Sequence, residues 1–574
     1  MRLTFTLFVL LTAASHAVGL DSLIDEFQAD RRDVSSSAAV AWSPTQLARE
    51  KAVLTDWQKR LDALDYDQLD PAARIDWHLL NTSLQENLDA MTLRESQLQE
   101  ARPLLAFADP LLDLSQALAE RKLSDPQASA GVLSQALADL KELRKQLDSG
   151  RAKDAPEDAL KPTPVLALRA AGEISDLGDS LGNWYSLYDG FQPEFTWWNR
   201  KTYEQLSKEL KSYGDFLRKD IAGQKGEAND PLVGNPIGAD AIRASLEAEM
   251  IPYSAEQLID IANQQFAWCE VEMKKAATDL GCATTQEALE KVKSNLVPPG
   301  GQAGVAIAEA EKAIAFLKEK ELVTIPPLAE QSWGIDMLGP EQQKTLPYAV
   351  YGQPRIMVAY GHEAMDYDQK MQAMRGNAYG FMHIVTPHEL IPGHHLQGYM
   401  SRRYATHRGM FRTPFLIEGW ALHWEMELWD QGYIGTPEEK VGALFWRMHR
   451  CARIIVSLKF HLGEMTPDEM IDFLVDRVGH ERSGATAEVR RYIGPSYGPL
   501  YQAAYMIGGL QIHALQKEIT APSPGNDDAE GKLSLREFHD QILRQGPIPI
   551  EMIRAALKGD SLPKDWQPSW KFAG

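Results

Sequence analysis

The sequence has only three cysteines in 574 residues: Cys269, Cys282 and Cys451. Three thiols cannot form the disulfide framework that stabilises small secreted domains, and none of them lies at the spacing of a cysteine metal site. Cys269 and Cys282 are the nearest pair, and the sequence leaves open whether they are bridged. We therefore interpret the cysteines as packing residues.

Positive charge is also scarce. The chain has 59 Lys and Arg against 80 Asp and Glu, which gives a formal net charge of -21. Since no basic stripe is present to neutralise phosphates, we expect no nucleic-acid partner. No stretch approaches the roughly 20 apolar residues that a membrane-spanning helix needs. The sequence therefore predicts neither a nucleic-acid-binding protein nor a membrane-spanning one.

The N-terminus has the pattern of an export signal. Arg2 supplies one positive charge, an apolar run extends from Leu3 to Ala14, and a plausible cleavage site follows at Ala17. This pattern predicts a signal peptide at residues 1–19 and a secreted or periplasmic protein, with a buried N-terminal helix as the alternative. No cysteine follows the run, so we do not expect a lipid anchor.

Runs of alternating β-branched residues, which are typical of strands, are almost absent from residues 20–181. Apolar residues there recur at helical spacing, most clearly at residues 130–147. Residues 225–238 are rich in Gly, Pro, Asn and Asp and form a candidate joint between subdomains. Short runs within residues 322–360 could be strands. We therefore predict a mainly α-helical protein, with residues 20–574 forming one large domain around a central cleft.

The most informative stretch is HELIPGHHLQ, which begins at His388. A catalytic zinc ion needs three protein ligands of the imidazole and carboxylate type and one open position. Zincins usually supply two of them as H-E-x-x-H on one helix, where the Glu is the general base. Here Pro392 occupies the second ligand position, and the next histidines are His394 and His395. The departure from the usual spacing requires a break in the helix.

On an unbroken helix His395 would lie about 10.5 Å along the axis from His388. That separation is too large for two nitrogens that each lie about 2.0–2.1 Å from one zinc ion. Pro392 disfavours a continuous helix, and Gly393 allows most backbone angles. A bulge at this Pro-Gly pair would absorb two residues. We therefore favour His394 over His395 as the second ligand, and the choice stays open.

A candidate third ligand is Glu418, which follows His394 after 23 residues. Residues 418–425 are predicted to be helical, and Glu425 shares a face with Glu418. Glu425 is therefore placed to orient an imidazole by hydrogen bonding. The alternative is that these glutamates form a solvated helix face and that the histidines are incidental.

The HELIPGHHLQ motif and the EGWAL segment that starts at Glu418 resemble the bacterial domain-of-unknown-function 885 family. They are more distantly similar to the gluzincin peptidases, including the angiotensin-converting-enzyme and carboxypeptidase Taq groups. The resemblance implies a zincin-like helical fold with a few short strands near the metal site. It implies His388, His394 and Glu418 as ligands of Zn²⁺, and Glu389 as the base.

The segment from residue 488 to residue 509 is similar to a second signature of the family, Glu-x-x-Arg-Tyr followed by Ala-x-Tyr-x-x-Gly. Tyr505 is our candidate donor to the oxyanion that forms during hydrolysis. Arg491 is a candidate for holding a substrate carboxylate by a two-pronged contact. Tyr492 and His395 are further candidates for substrate binding. The alternative is a structural Arg-Glu pair and a core tyrosine.

These observations together predict an exported zinc-dependent hydrolase of peptide bonds, in which Glu389 activates a zinc-bound water. Carboxypeptidase-like cleavage is one option, and the expected partner is a peptide or amide substrate. Zinc is inferred from the two histidines and one carboxylate. The alternatives are a zinc amidase or esterase that acts on small molecules, and a peptide-binding protein without activity. The sequence does not set the cleavage position or the oligomeric state.

Overall fold

The structure, a computed structural model, describes residues 20–36, 40–227, 230–494, 497–520 and 533–573. These residues form twenty-three α-helices and three short strands, which confirms the prediction of a mainly α-helical protein. None of these helices is both long enough and apolar enough to cross a membrane. The signal peptide expected at residues 1–19 lies outside the described residues, as do two residues of the candidate joint.

Four of the first seven helices, the second, third, fifth and sixth, begin with a side-chain N-cap and a proline in the first turn. Asp70 caps the third helix by accepting a hydrogen bond from the Ala73 N–H, and Pro71 fills the first turn. The helices are α1 (Leu20–Ser36), α2 (Pro44–Asp62), α3 (Pro71–Ala101), α4 (Asp109–Ala119), α5 (Pro126–Gly150), α6 (Pro164–Tyr188) and α7 (Pro193–Phe216).

Helices α4 to α7 enclose a hydrophobic core of their own, which we call the bundle core. Trp184, Phe195 and Tyr213 are fully buried in it. Several aromatic residues of α6 and α7 therefore pack inside this bundle, whereas Phe191 and Trp197 are exposed. The larger core joins α1 to α3 with residues 242–572. The candidate joint at 225–238 lies between the two cores along the chain, and the number of domains stays a prediction.

Four helices and a small sheet come next. The helices are α8 (Ala239–Ala248), α9 (Ala255–Asp279), α10 (Thr285–Ser294) and α11 (Gln302–Glu319), and the shorter α12 (Pro327–Gln331) and α13 (Pro340–Gln343) flank the first strand. The strands are β1 (Gly334–Met337), β2 (Val350–Gly352) and β3 (Arg355–Val358). Their order is β1-β3-β2, with β3 parallel to β1 and antiparallel to β2. β2 is therefore an edge strand.

The remaining helices surround the HELIPGHH segment. They are α14 (Tyr367–Gly376), α15 (Tyr379–Glu389), α16 (His394–Ser401), α17 (Pro414–Asp430), α18 (Pro437–His461), α19 (Pro467–Phe473), α20 (Arg482–Ile493), α21 (Tyr501–Thr520), α22 (Leu535–Arg544) and α23 (Ile550–Lys558). Helices α17 and α21 approach each other at Gly419 and Gly508. A Cβ atom on Gly508 would lie 1.9 Å from the carbonyl oxygen of Phe415, so this contact requires glycine.

The three cysteines are free thiols in the structure. Cys269 on α9 and Cys451 on α18 are buried, whereas Cys282 is partly exposed. The burial of two of them agrees with their interpretation as packing residues.

Candidate metal centre

The helix that carries His388 ends at Glu389, and a new helix begins at His394. The predicted bulge is therefore a full break between α15 and α16. The Gly393 N–H donates to the carbonyl of Pro387, and the Trp420 indole donates to the carbonyl of Pro392. A Cβ atom on residue 393 would lie 1.7 Å from the carbonyl oxygen of His388. Only glycine fits at this position in the turn.

This turn brings three separated side chains together. Ligand atoms of His388, His394 and Glu418 all lie within 4.8 Å of one another. His394 Nε2 is 3.2 Å from Glu418 Oε2, and the two imidazole rings are nearly perpendicular, with centroids 4.9 Å apart. The structure thus unites the three residues that the sequence analysis selected. That they bind a metal ion stays a prediction.

The donor set fits a zinc ion. Two imidazoles and one carboxylate are the ligands of several catalytic zinc sites. Glu418 Oε2 is buried and accepts no hydrogen bond, in spite of its short contact with His394. Burial alone would raise the pKa of Glu418, but the two neighbouring imidazoles and a hydrogen bond from Tyr501 hold it well below its usual range. The carboxylate is therefore ionised and has a lone pair free for a cation.

Glu425 orients one of the imidazoles, as the sequence analysis predicts. Its Oε1 lies 2.7 Å from His388 Nδ1 and 3.4 Å from Arg450 Nη2. Burial would raise the pKa of Glu425, but Arg450 and the hydrogen bond with His388 lower it. Because Nδ1 of His388 is occupied by this contact, its Nε2 is the atom available to a metal ion.

The metal centre lies in the wall of a cavity of about 1030 Å³, which we call the metal cavity. Glu389 lines this cavity and is almost fully buried. Burial raises the pKa of its carboxyl, although the imidazoles of His388 and His394 oppose the shift. Val350 and Tyr351 of the edge strand β2 lie on the same wall.

His395 turns away from the metal cavity. Its Nε2 lies 2.9 Å from the carbonyl oxygen of Ala329, so it is the protonated nitrogen, and its Nδ1 accepts from the Tyr351 hydroxyl at 3.2 Å. Both ring nitrogens are therefore occupied. The structure does not place His395 as a ligand or in contact with the cavity, and it acts only by holding Tyr351.

Helix α21 brings two tyrosines to the centre. Tyr505 lines the metal cavity, and its ring is nearly parallel to that of His388 at 6.5 Å. Tyr501 donates a hydrogen bond to Glu418 Oε1, a contact that the sequence analysis missed. The two tyrosines are four residues apart and so share a helix face, which was the available signal.

The two candidates on α20 lie in different surroundings. Arg491 lines the metal cavity, and its Nη2 donates to Glu488 Oε2 at 3.2 Å. Tyr492 is buried behind it, donates to the same oxygen at 2.7 Å and accepts from Arg453 Nε at 3.0 Å. Tyr492 does not line the cavity, so the prediction that it binds substrate has no support in the structure. The sequence analysis did not select Arg453, and it considered an Arg-Glu pair only as a structural alternative; Arg453 and Glu488 both line the cavity.

The sequence model of a family described as "Bacterial protein of unknown function (DUF885)" matches residues 29–557. The chain belongs to this family. The family resemblance is thereby confirmed, whereas the more distant likeness to gluzincin peptidases stays a prediction. No curated protein matches the sequence.

Two solved structures have a similar fold. One is described as a lipoprotein of unknown function from Shewanella oneidensis; it is 17% identical, with a TM-score of 0.67 over 94% of this chain and 99% of that chain. The other is described as a lipoprotein from Colwellia psychrerythraea; it is 16% identical, with a TM-score of 0.56 over 94% of this chain and 98% of that chain. At these identities the likeness shows the fold alone.

Proposed function

We propose that this protein is a zincin-like, zinc-dependent hydrolase of peptide bonds. The observation that carries the proposal is the convergence of His388, His394 and Glu418 beside the buried carboxylate of Glu389 in one cavity. A structural zinc site uses four protein ligands, whereas three ligands leave the open position that catalysis needs. A site without activity would have no use for a carboxylate directly after its first ligand.

A zinc ion held by these three residues supplies a Lewis acid that polarises the scissile carbonyl and acidifies a water molecule. Glu389 takes the proton of the attacking water and delivers it to the leaving amine. The raised pKa of Glu389 suits this double role, because burial makes the carboxyl easier to protonate and so helps it to hold the proton before delivery. Glu425 holds the His388 ring in place.

Tyr505 is our candidate for stabilising the negative charge that develops on the carbonyl oxygen. Its ring lies beside His388 in the cavity wall. The guanidinium groups of Arg450 and Arg453 lie 5.2 Å and 4.5 Å from its ring centroid. Burial raises the pKa of the Tyr505 hydroxyl, so it keeps its proton and can donate it in a hydrogen bond.

The edge strand β2 favours a peptide as substrate. Val350 and Tyr351 line the metal cavity, and β2 pairs with β3 on one side only. An extended peptide can add to such an edge through main-chain hydrogen bonds. A small amide or ester would gain nothing from this edge.

We further propose that the protein is exported. The first residues have the composition of a signal peptide. The two similar structures are described as lipoproteins, which fits a location in the cell envelope.

The decisive experiment compares peptide hydrolysis by the zinc-loaded protein and by its Glu389→Gln variant. We expect cleavage of blocked peptides to fall by a factor of about 10²–10⁴, because proton transfer by a general base contributes that much. Zinc content should stay at the wild-type level, since Glu389 is not a ligand. Glu464→Gln, an exposed position on the loop after α18, is the matched control and should change neither quantity.

Undiminished hydrolysis by a zinc-loaded Glu389→Gln protein would contradict the mechanism. A wild-type protein that cleaves small amides but no peptide in a broad library would contradict the substrate class and leave the metal chemistry standing.

A further inference from the structure

Three arginines lie within the wall of the metal cavity, next to the proposed catalytic groups. Arg450 and Arg453 on α18 are 5% and 4% exposed, and the side chain of Arg491 on α20 is 11% exposed. All three line the cavity. Guanidinium groups keep their charge at any pH that proteins tolerate, so these are three buried positive charges.

Two buried carboxylates contact these arginines among the described residues. Glu425 Oε1 contacts Arg450, and Glu488 Oε2 lies 2.8 Å from Arg453 and 3.2 Å from Arg491. Arg453 and Arg491 therefore share one carboxylate oxygen. An uncompensated buried charge is costly unless a bound partner neutralises it.

The arginines also have hydrogen-bond donors to spare. Arg453 Nη1 and Arg491 Nε are buried and have no acceptor among the described residues. Both side chains are fixed by Glu488, and Arg453 is held further by the Tyr492 hydroxyl. Two guanidinium groups that are fixed in place and keep unused N–H donors match the geometry that a carboxylate recognises.

We propose that Arg453 and Arg491, which we call the arginine wall, bind a carboxylate of the substrate. This inference rests on the proposed peptidase function. The carboxylate has two sources in a peptide, the free C-terminus and the side chain of Asp or Glu. Either one supplies a negative charge to the two arginines that share Glu488. Tyr492 acts as a positioning residue behind the wall.

The position of Arg491 decides where a peptide would be cleaved for each source of the carboxylate. Beyond the metal cavity lies a second cavity of about 1210 Å³, and the two share Tyr348, Arg491 and Tyr497. A C-terminal carboxylate on Arg491 would end the substrate at this junction, which describes an enzyme that removes short C-terminal fragments. A side-chain carboxylate would let the peptide continue into the second cavity, which describes an enzyme that cleaves within a chain.

The test measures peptide binding to the zinc-loaded Glu389→Gln protein by calorimetry, so that cleavage does not interfere. Three acetylated penta-alanine peptides serve as probes: one with a free C-terminus, one amidated, and one amidated with a single Asp. We expect the free acid, the Asp peptide or both to bind about 10- to 100-fold more tightly than the plain amide. Arg491→Gln in the same background should abolish this preference.

Arg482→Gln is the matched control, because Arg482 lies on the same helix but is exposed and paired with Asp472. It should keep the full preference. If Arg491→Gln fails to fold, Arg453→Lys offers a second variant that keeps the charge but loses the fork of donors, and it should reduce the preference.

Equal binding of all three peptides would contradict the proposal that the arginine wall binds a carboxylate. A preference that remains in the Arg491→Gln variant would contradict it as well. This outcome is separate from failure of the proposed function. If all three peptides bind equally and the wild-type protein cleaves peptides, the peptidase proposal stands and the proposed carboxylate site is wrong. If the preference depends on Arg491 but the wild-type protein cleaves no peptide, the carboxylate site stands and the peptidase proposal is wrong.

Discussion

The bundle core and the surroundings of the metal centre bury very different side chains. The bundle core consists of leucine, alanine and aromatic residues, such as Leu140, Leu177 and Trp184. His16 and His78 are the only histidines before residue 362, and the other twelve of the 14 follow. Around the metal centre the buried set includes charged and imidazole side chains: His388, Glu389, Glu418, His423, Glu425, His449, Arg450, Arg453, His480 and Glu488.

This difference distinguishes residues that stabilise the fold from residues that are suited to a chemical role. Apolar side chains stabilise a fold by leaving water, and they require no particular partner. A buried charge costs free energy unless it is paired, and replacing such pairs with apolar residues is often neutral or stabilising. The polar core around the metal centre is therefore hard to explain by stability alone. It is what we expect of a region that must hold a cation and transfer protons.

The largest expected effect is the loss of stability that a cavity in the bundle core would cause. Leu140 on α5 is fully buried, and we expect Leu140→Ala to lower the free energy of unfolding by about 2–5 kcal/mol. Zinc affinity and hydrolysis of the folded protein should not change, because the bundle contributes no residue of the metal centre. Urea unfolding and zinc titration measure the two quantities. Lys141→Ala, on the exposed side of the same helix, is the control. A loss of zinc affinity in folded Leu140→Ala protein would contradict the view that the bundle core serves stability alone.

A smaller effect, this time on the affinity for zinc, is expected at Glu425. Glu425→Gln removes the charge that orients His388, so the affinity for zinc should fall about 10- to 100-fold. The metal-free protein should also lose stability, because Arg450 keeps its charge and loses its buried partner, so zinc affinity is compared on folded protein. Competition with a chelator of known affinity gives the measurement. Unchanged zinc affinity would show that the contact is merely structural.

The smallest effect, per pH unit, is a dependence of stability on pH that buried histidines outside the bundle core produce. Burial lowers the pKa of His480 to about 3 and that of His539 to about 4, from 6.5. Below about pH 6.5 the unfolded chain binds protons that the folded chain does not, so stability is full above that pH and is lost as the pH falls. Each histidine contributes a slope of about 1.4 kcal/mol per pH unit.

His539→Gln should make this slope shallower between about pH 6.5 and 4 without changing its sign. Unfolding free energies at several pH values measure it, and the bundle core, which has no histidine between residues 101 and 222, adds no histidine contribution. An unchanged slope would mean that His539 is protonated in the folded protein.

The metal centre was more predictable from the sequence than its surroundings. Local chemistry decides the break at Pro392 and Gly393, so the spacing favours His394 while it leaves His395 open. The sequence could not show that His395 turns toward Ala329, because that depends on packing. Residues 324–327 were expected to contain a strand and do not, whereas residues 334–337 form β1. A strand this short depends on its partner in the sheet more than on its own composition.

The arginine wall marks the limit of sequence reasoning. Arg453 and Glu488 are 35 residues apart on different helices, and nothing in either segment indicates the contact between them. Tyr492 was selected together with Arg491 as part of the Glu-x-x-Arg-Tyr signature, yet neighbours on a helix point about 100° apart. One therefore reaches the cavity and the other is buried behind it. Tertiary packing, rather than the motif, separates their roles.

The measurement that tests the account most directly is the zinc content of the purified protein. The account predicts about one zinc ion per chain in the wild type, the stoichiometry of a single catalytic site. His388→Ala and Glu418→Ala should lose the ion, whereas His362→Ala, a histidine outside the metal centre, should keep it. A folded wild-type protein that binds no zinc after chelation and refilling would contradict the account, and so would folded His388→Ala and Glu418→Ala proteins that retain the ion.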